Sequence, residues 1–223
     1  MRLTLFDLDH TLLDGDSDVL WCAFLQQRGL LDPAEFGPRN AAMAAAYQAG
    51  TVSVHDFCAF YVGTLAGRTA AQWETLRAEF LHECITPALP ASAHALVKSH
   101  QQTGDLVVLT TATNRVITEL TAAHLGIEHL IATECEVDAD GRYTGRIAGT
   151  PNMRAGKVER LHAWLAARGE RLADFAITTA YSDSMNDLPL LETVARPVVV
   201  NPDPRLAAEA RSRGWARHDL HAR

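Results

Sequence analysis

The second half of the chain alternates short apolar segments with helical patterns, and this alternation is the strongest constraint on its fold. The apolar segments, which predict strands, span 105–110, 127–132, 174–181 and 196–200. The patterns between them predict helices at 91–103, 114–125, 155–168, 185–193 and 203–213, and a hairpin over 133–148 that turns at Asp140-Gly141. Strands that alternate with helices form a parallel sheet, so we expect a Rossmann-like α/β fold with helices on both faces.

A further apolar segment, 3–6, predicts a first strand, and a long helical stretch separates it from the alternating half. Apolar residues at three- and four-residue steps predict four helices there. The first ends near Gly29, and the other three span 41–49, 54–65 and 69–84. We therefore expect an α/β core of residues 1–15 and 86–223 and a helical insert of residues 16–85. An insert at this point of the chain would overhang the carboxyl ends of the strands as a cap.

Carboxylates stand directly after two of the predicted strands. Asp7 and Asp9 follow the first strand, and Asp183 and Asp187 follow a later one. Open α/β sheets bind ligands at the carboxyl ends of their strands, and Mg²⁺ prefers oxygen ligands, so these residues are candidate metal ligands. Two blander interpretations remain: Asp7 and Asp9 lie in a solvated turn, or Asp187 completes a helix capping box with Ser184.

Hydroxyl side chains follow the predicted strand at 105–110. Thr111 is free to donate a hydrogen bond to a phosphate oxygen, next to the exposed N–H groups at the start of the following helix. Ala112 and Thr113 share this loop, and either Thr113 or Asn114 is expected to cap the helix. The loop is therefore a candidate phosphate-binding segment.

Lys157 is one of only two lysines in the chain, the other being Lys98. It stands at the start of a predicted helix, where the helix dipole disfavours a cation. A surface lysine is the ordinary explanation of such a residue. Its rarity and its unfavourable position instead favour a compact positive charge that faces phosphate.

Composition excludes several classes of protein. A formal net charge of −7 argues against a nucleic-acid partner. No segment approaches the roughly 20 apolar residues of a membrane helix, and no secretory signal precedes Asp7, so we expect a cytoplasmic protein without a membrane partner. The scattered cysteines, Cys22, Cys58, Cys84 and Cys135, are expected to be reduced. The oligomeric state cannot be read from the sequence.

Together these segments resemble the four motifs of the haloacid dehalogenase-like hydrolase superfamily, and the insert resembles the cap of its phosphoserine-phosphatase-like branch. The matching segments are Asp7-Leu8-Asp9-His10-Thr11, Thr111, Lys157 and Ser182-Asp183-Ser184-Met185-Asn186-Asp187. The resemblance spans nearly the whole chain, and motifs that are weak singly are specific in combination.

The resemblance implies a Mg²⁺-dependent phosphomonoester hydrolase that works through an aspartyl-phosphate. Asp7 would be the nucleophile, and Asp9 would protonate the leaving alcohol and later activate water. Asp7, the backbone carbonyl of Asp9, and Asp183 would hold Mg²⁺. A cap that excludes water would raise the pKa of Asp9 from the free value of about 3.9, so that it can act as an acid.

The same resemblance assigns the remaining polar residues. Thr111 and Lys157 would hold the phosphoryl oxygens in the loop that also contains Ala112 and Thr113. Asp187 would orient Lys157 or a metal-bound water.

Asp16 bears on the substrate, a small phosphate ester. It lies nine residues after Asp7, where phosphoserine phosphatases carry an acid that meets the substrate amine, although a helix N-cap explains it equally well. Thr111-Ala112-Thr113 and Ser182-Asp183-Ser184 depart from the glycine-rich versions in those enzymes. The segments that look like a histidinol-phosphatase-like bacterial subgroup are Asp14-Gly15-Asp16-Ser17-Asp18, Thr111-Ala112-Thr113-Asn114-Arg115 and Ala132-Thr133-Glu134-Cys135-Glu136. We therefore favour histidinol phosphate or a similar amino-alcohol phosphate.

Other functions remain open on this scaffold. A phosphoserine phosphatase or a phosphomutase would carry the same motifs. A dehalogenase would need neither the acid at Asp9 nor the metal ligand Asp183, so the presence of both argues against it. A non-catalytic phosphate-binding protein would be expected to lack a motif carboxylate, and here none is missing.

Overall fold

A computed structural model describes residues 1–221, and within them a single sheet of seven strands forms the centre of the molecule. The strands are β1 (Arg2–Phe6), β2 (Asp105–Asn114), β3 (His129–Val137), β4 (Tyr143–Ala148), β5 (Ile177–Ser182), β6 (Arg196–Val200) and β7 (Ala216–His218). Their order is β4-β3-β2-β1-β5-β6-β7, and every neighbouring pair is parallel except the β3–β4 hairpin. The first strand is therefore central, with β2 on one side and β5 on the other.

The helices lie between these strands in the chain. They are α1 (Ser17–Gln27), α2 (Pro33–Ala49), α3 (Val54–Val62), α4 (Ala70–Phe80), α5 (Ala91–Gln102), α6 (Arg115–His124), α7 (Ala155–Ala167), α8 (Leu188–Leu191) and α9 (Pro204–Arg213). Across residues 1–221, no helix combines the length and the apolar character needed to span a bilayer.

Both faces of the sheet are buried, because side chains along each strand alternate between two hydrophobic clusters. Phe6 and Leu109 belong to the cluster covered by α5, α6 and the aromatic residues of the insert. Leu5 and Val108 belong to the cluster covered by α7, α8 and α9. The predicted α/β fold, a largely parallel sheet with helices on both faces, is confirmed.

Several predicted boundaries were wrong for identifiable reasons. Helix α2 begins at Pro33 and not near residue 41, because Asp32 caps it and proline suits its first turn. The helix predicted at 69–84 continues past Phe80 as a π-helical turn, Leu81–Ile85. The helix predicted at 185–193 is a short 3₁₀ turn, Met185–Asp187, followed by α8.

The edges of the sheet were also misjudged. Strand β3 begins at His129 and continues into the hairpin, where the prediction ended it at residue 132. The strand predicted at 174–181 begins only at Ile177. Strand β7 was not predicted, because its three residues are all exposed and carry no apolar alternation.

Contacts on two sides hold the helical insert against the core, and Phe57 and Tyr61 of the insert also pack in one hydrophobic cluster with Met153 of the core. On one side, Gly67 N donates to Tyr143 O (2.8 Å) and Tyr143 N donates to Arg68 O (2.9 Å), which joins the insert to β4. One hydrophobic cluster also runs from Phe6 of the sheet to Trp73 of α4. The division into a core and an insert of residues 16–85 stays a prediction.

On the other side, two core arginines reach the carboxyl end of α2. Arg154 Nη2 lies 3.4 Å from Gly50 O and 3.3 Å from Val52 O, and Arg205 Nη2 lies 3.4 Å from Gln48 O. Helix α2 has no basic residue in its last turn, so these guanidinium groups supply the positive charge that a helix carboxyl end favours. We call these contacts the arginine clamp.

Candidate active site

The carboxyl ends of β1, β2 and β5 meet at one edge of the sheet. Phe6 pairs with Leu109 of β2 and with Tyr181 of β5, so the residues that follow these three positions are neighbours. This register brings Asp7, Thr111 and Asp183 to the same edge, as the alternating pattern predicts.

Lys157 is buried at this edge, with only 2% of its surface exposed. Its Nζ lies 2.7 Å from Asp7 Oδ1 and 2.6 Å from Asp187 Oδ2. Burial opposes its charge, but the carboxylates of Asp187 and Asp7 raise the pKa of Lys157 above its usual value. The alternative of a surface lysine is therefore wrong.

The turn before α7 positions this lysine. A Cβ on Gly156 would lie 2.1 Å from Pro151 O, so only glycine fits beside Lys157 without moving the backbone. The sequence alone did not reveal this requirement.

The carboxylate of Asp187 binds the ammonium group of Lys157. Its Oδ2 accepts from Lys157 Nζ and from Ser182 Oγ (2.8 Å). The capping box with Ser184 is not formed, because Ser184 accepts from Asn186 N (3.2 Å) and Asp187 points elsewhere. The arrangement fits the role of orienting Lys157, and a role for Asp187 as a metal ligand stays a prediction.

Thr11 links the other two carboxylates, a role that sequence reasoning missed. Its Oγ1 lies 3.0 Å from Asp7 Oδ2 and 3.3 Å from Asp183 Oδ1, and it accepts from Asp183 N (3.0 Å). A hydroxyl has one hydrogen, so it serves one of the two carboxylates at a time.

This crowding of carboxylates is costly. Burial raises the pKa of Asp7 to about 7 against the lowering effect of Lys157. Burial and then the charge of Asp7 raise the pKa of Asp183 well above its ordinary value. A cation between Asp7 and Asp183 would relieve both effects.

Asp9 faces the insert. Its Oδ1 accepts from Ser17 N at 2.6 Å, and its Oδ2 accepts from Thr113 Oγ1 at 3.0 Å, while Thr111 Oγ1 is 3.5 Å away. Burial, followed by the charge of Asp16, raises the pKa of Asp9 to about 6. A carboxyl group in this environment holds a proton more readily than a free aspartate does, as a general acid requires.

The N-cap alternatives in the neighbouring loop are also resolved. Asn114 caps α6, since its Oδ1 accepts from Ile117 N at 3.2 Å. Thr113 instead donates to Asp9, and Thr111 accepts from Thr113 N at 3.2 Å. Both threonines are buried beside the carboxylates.

Asp16 does both things that the sequence left open. It caps α1 by accepting from Val19 N at 3.0 Å, and it also lines a small cavity next to Asp9. The cavity has a volume of about 10 Å³, roughly enough for one water molecule. Its lining residues are Asp9, His10, Asp16, Asp18, Tyr47, Phe57, Ala112, Thr113 and Asp183.

An open groove of about 490 Å³ adjoins the cavity. His10, Tyr47 and Asp183 line both spaces, and Arg205 of the clamp lines the groove. Sequence reasoning missed Asp18 and Tyr47 as lining residues. The two-residue repeat of aspartates from Asp14 onward was a signal for Asp18, whereas nothing marked Tyr47.

Comparison with known proteins identifies the family. The haloacid dehalogenase-like hydrolase family model matches residues 4–192. The histidinol-phosphatase of Neisseria meningitidis serogroup C (strain 8013) is 41% identical over 214 residues, which cover 96% of this chain and 96% of that protein.

Solved structures agree on the fold. A protein of unknown function from Bordetella pertussis Tohama I is 46% identical, with a TM-score of 0.93 and 99% of each chain covered. A substrate-bound phosphoserine phosphatase has a TM-score of 0.68 at 18% identity, with 99% of this chain and 93% of that chain covered, which is a likeness of fold. The resemblance seen in the sequence motifs is confirmed. The chain is an enzyme of the haloacid dehalogenase-like hydrolase family, and phosphatases are among its relatives.

Proposed function

We propose that this enzyme is a Mg²⁺-dependent phosphomonoester hydrolase that forms an aspartyl-phosphate on Asp7. The observation that carries the proposal is the buried ion pair of Asp7 and Lys157. Lys157 and Thr11 hold the two oxygens of Asp7 in one orientation, as a carboxylate nucleophile needs. The ammonium group also stands where it can offset charge on a transferring phosphoryl group.

The residues present fit a magnesium ion. Asp7 and Asp183 share one donor, the Thr11 hydroxyl, and burial and the charge of Asp7 raise the pKa of Asp183. A cation between these two carboxylates would be stabilised, and the Asp9 backbone carbonyl would complete the set. Within residues 1–221, no three or more His, Cys, Asp and Glu side chains form a metal site by themselves. The proposed site has two carboxylates and a carbonyl as ligands, and Mg²⁺ usually keeps several waters besides its protein ligands. Bound there, the ion would supply charge neutralisation for the phosphoryl oxygens.

Asp9 is the proton carrier in this proposal. Its raised pKa allows the carboxyl group to protonate the leaving alcohol, and the resulting carboxylate can then take a proton from the attacking water. Ser17 and Thr113 fix its orientation. Phosphate monoesters hydrolyse so slowly that accelerations of up to ~10²¹ are known, and a covalent intermediate divides that barrier.

We propose histidinol phosphate, or a similar small amino-alcohol phosphate, as the substrate. The 41% identical relative is a histidinol-phosphatase. Asp16 lines the cavity beside Asp9, where the leaving alcohol would lie, and its carboxylate suits an amine.

A substrate panel tests the proposal. Wild type and Asp7→Asn are assayed with Mg²⁺ for phosphate released from histidinol phosphate, phosphoserine, glycerol phosphate and glucose 6-phosphate. We expect release by wild type alone, loss on chelation, and a covalent phosphoryl group that hydroxylamine releases from wild type. Asp14→Asn is the matched control, because its side chain is 64% exposed in the same loop.

The alternatives give different results. A phosphomutase would release phosphate poorly unless a second hydroxyl acceptor is supplied, and a dehalogenase would work after chelation. Normal turnover by Asp7→Asn would overturn the proposed nucleophile.

A further inference from the structure

Asp18 carries a buried oxygen with no partner. The residue is 2% exposed. Its Oδ2 lies 3.1 Å from Thr113 Oγ1, whose one hydrogen serves either Asp18 or Asp9 at a time. Its Oδ1 has no hydrogen-bond partner among the described residues. An unsatisfied buried carboxylate oxygen is costly, so its retention calls for an explanation such as a ligand.

The position of Asp18 points to where that ligand lies. Asp18 lines this small cavity together with Asp9 and Asp16. Thr113 Oγ1 contacts both Asp9 Oδ2 and Asp18 Oδ2, so the orphan carboxylate stands one hydroxyl away from the proposed proton carrier. A group bound to Asp18 would therefore belong to the leaving alcohol of the ester.

The acidic lining of the cavity indicates the charge of the group that would bind there. Four aspartates line it, Asp9, Asp16, Asp18 and Asp183, and within residues 1–221 the one basic side chain on its wall is His10. Burial and the charges of Asp16 and Asp9 act on Asp18 in the same direction, against its ionisation. A cationic N–H donor would satisfy the free oxygen and reduce the repulsion among these carboxylates.

We propose that Asp18 is a specificity-determining residue that binds a cationic nitrogen of the leaving alcohol, and that the site thereby selects amino-alcohol phosphates that lack a carboxylate. This inference rests on the proposed function and refines its substrate class. Asp16 and Asp18 offer two separate acceptors, which suits an alcohol with two nitrogen groups. Phosphoserine would bring a carboxylate into the same cavity, opposite aspartates and with His10 as its one basic neighbour.

The small cavity has room for about one water molecule, so the alcohol would reach Asp18 only when the walls move apart. Asp16 caps α1 and Asp18 lies in its first turn, whereas Tyr47 belongs to α2 and Phe57 to α3. Movement of α2 and α3 away from α1 would open the space while Asp18 keeps its contact with Thr113.

One competing explanation involves Tyr61. Its hydroxyl is also buried, with no hydrogen-bond partner in the part of the chain that the structure describes, and Asp18 is the strongest charge acting on it. If Asp18 serves only the packing of Tyr61, replacing either residue should have the same effect. Tyr61→Phe is therefore the matched control.

The experiment compares wild type, Asp18→Asn and Tyr61→Phe on histidinol phosphate, phosphoserine and glycerol phosphate. Asn keeps an acceptor for Thr113 but loses the charge. For Asp18→Asn we expect the kcat/KM ratio of histidinol phosphate to glycerol phosphate to fall by about tenfold or more, the size of a lost charge-assisted hydrogen bond. The inhibition constant of L-histidinol should rise by a similar factor, while Tyr61→Phe should keep the wild-type ratio.

Other results would contradict either the role of Asp18 in specificity or the proposed function itself. Equal losses on all three esters in Asp18→Asn would show that Asp18 acts through Thr113 and Asp9, which overturns its role in specificity. An unchanged ratio, a matching loss in Tyr61→Phe, or a wild-type preference for phosphoserine would overturn it as well. If wild type releases phosphate from none of the esters, both the proposed function and the role of Asp18 are wrong. If wild type turns the esters over but Asp18→Asn leaves the kcat/KM ratio unchanged, only the role of Asp18 is wrong.

Discussion

Lys157 Nζ lies 2.7 Å from Asp7 Oδ1, although 150 residues separate the two in the chain. The lysine is held equally close to Asp187, so one buried ammonium serves two buried carboxylates. Such a cluster is stable only while all its members are present, because a buried charge that loses its partner is not solvated. The cluster of Asp7, Lys157 and Asp187 is therefore part of the candidate active site, and loss of any one member should destabilise the fold.

Replacing the lysine should show both properties. We expect Lys157→Met to remove phosphatase activity and to lower the free energy of unfolding by about 3 kcal/mol, because it leaves two buried carboxylates without a cation. Lys98→Met is the control, since this is the only other lysine of the chain and it is exposed. Urea unfolding should place the control within about 0.5 kcal/mol of wild type. Equal stability of the two variants would contradict a buried charge cluster.

Asp187→Asn distinguishes the two roles considered for Asp187. If it orients Lys157, kcat should fall on the order of 10²-fold, the cost of a misplaced catalytic group, with little change in the Mg²⁺ concentration that gives half-maximal activity. A large rise in that concentration would instead identify Asp187 as a metal ligand. Magnesium titrations of the wild-type and variant enzymes measure both quantities.

Thr11→Val removes the hydroxyl shared by Asp7 and Asp183. The two carboxylates lose the donor that fixes their orientation, so we expect the Mg²⁺ requirement to rise by about 10- to 100-fold, as for other residues that support metal ligands. Thr51→Val is the control, because the Thr51 hydroxyl is exposed and donates to Ala46 O at the end of α2. An unchanged Mg²⁺ requirement in Thr11→Val would place the metal elsewhere.

Loss of the arginine clamp should loosen α2. We expect Arg205→Ala to speed amide hydrogen exchange in residues 46–54 by about two- to tenfold, the effect of one partly exposed hydrogen bond on a local opening equilibrium. Arg39→Ala is the control, because Arg39 lies on α2 itself and its ion pair with Glu35 is exposed. Exchange that is equally fast in both variants would show that the clamp does not hold the helix.

The pH dependence of stability tests the unpaired carboxylate in the ligand-free protein. Because burial and the charges of Asp16 and Asp9 raise the pKa of Asp18, the folded state binds this proton more tightly than the unfolded chain does. The resulting stability is fully present below the unfolded value of about 3.8 and is lost as pH rises through the folded-state pKa.

Asp18→Asn should therefore be more stable than wild type near pH ~7, and the difference should shrink towards pH ~5. Urea unfolding at both pH values, with chelator present, measures the difference. A variant that is less stable than wild type at pH ~7 would mean that Asp18 is paired.

Site residues could be predicted from the sequence where they directly follow a strand of the parallel sheet or where their chemistry does not suit their position. Asp7 and Asp183 could be placed together, because parallel strands put their carboxyl ends at one edge. Lys157 could be assigned to the site from its rarity and from its poor position for a cation at a helix start. The same reasoning predicted the alternation of strands and helices, but not their exact ends.

The missed residues depend on contacts between distant segments. Thr11 matters because Asp183, 172 residues away, returns to it, and no local pattern encodes that approach. The clamp formed by Arg154 and Arg205 depends on where α2 ends in space, which its sequence does not state. Asp16 was ambiguous because one side chain both caps α1 and lines the cavity, so neither interpretation excluded the other.

The contact between Tyr143 and the segment Gly67–Arg68 holds one side of the insert by main-chain hydrogen bonds. Buried aromatic residues such as Trp73 add to that side, whereas on the opposite side the arginine clamp and the packing of Phe57 and Tyr61 with Met153 are contacts made by side chains. We therefore expect the insert to open at the end of α2, so that an ester would approach Asp7 from the groove beside Arg205.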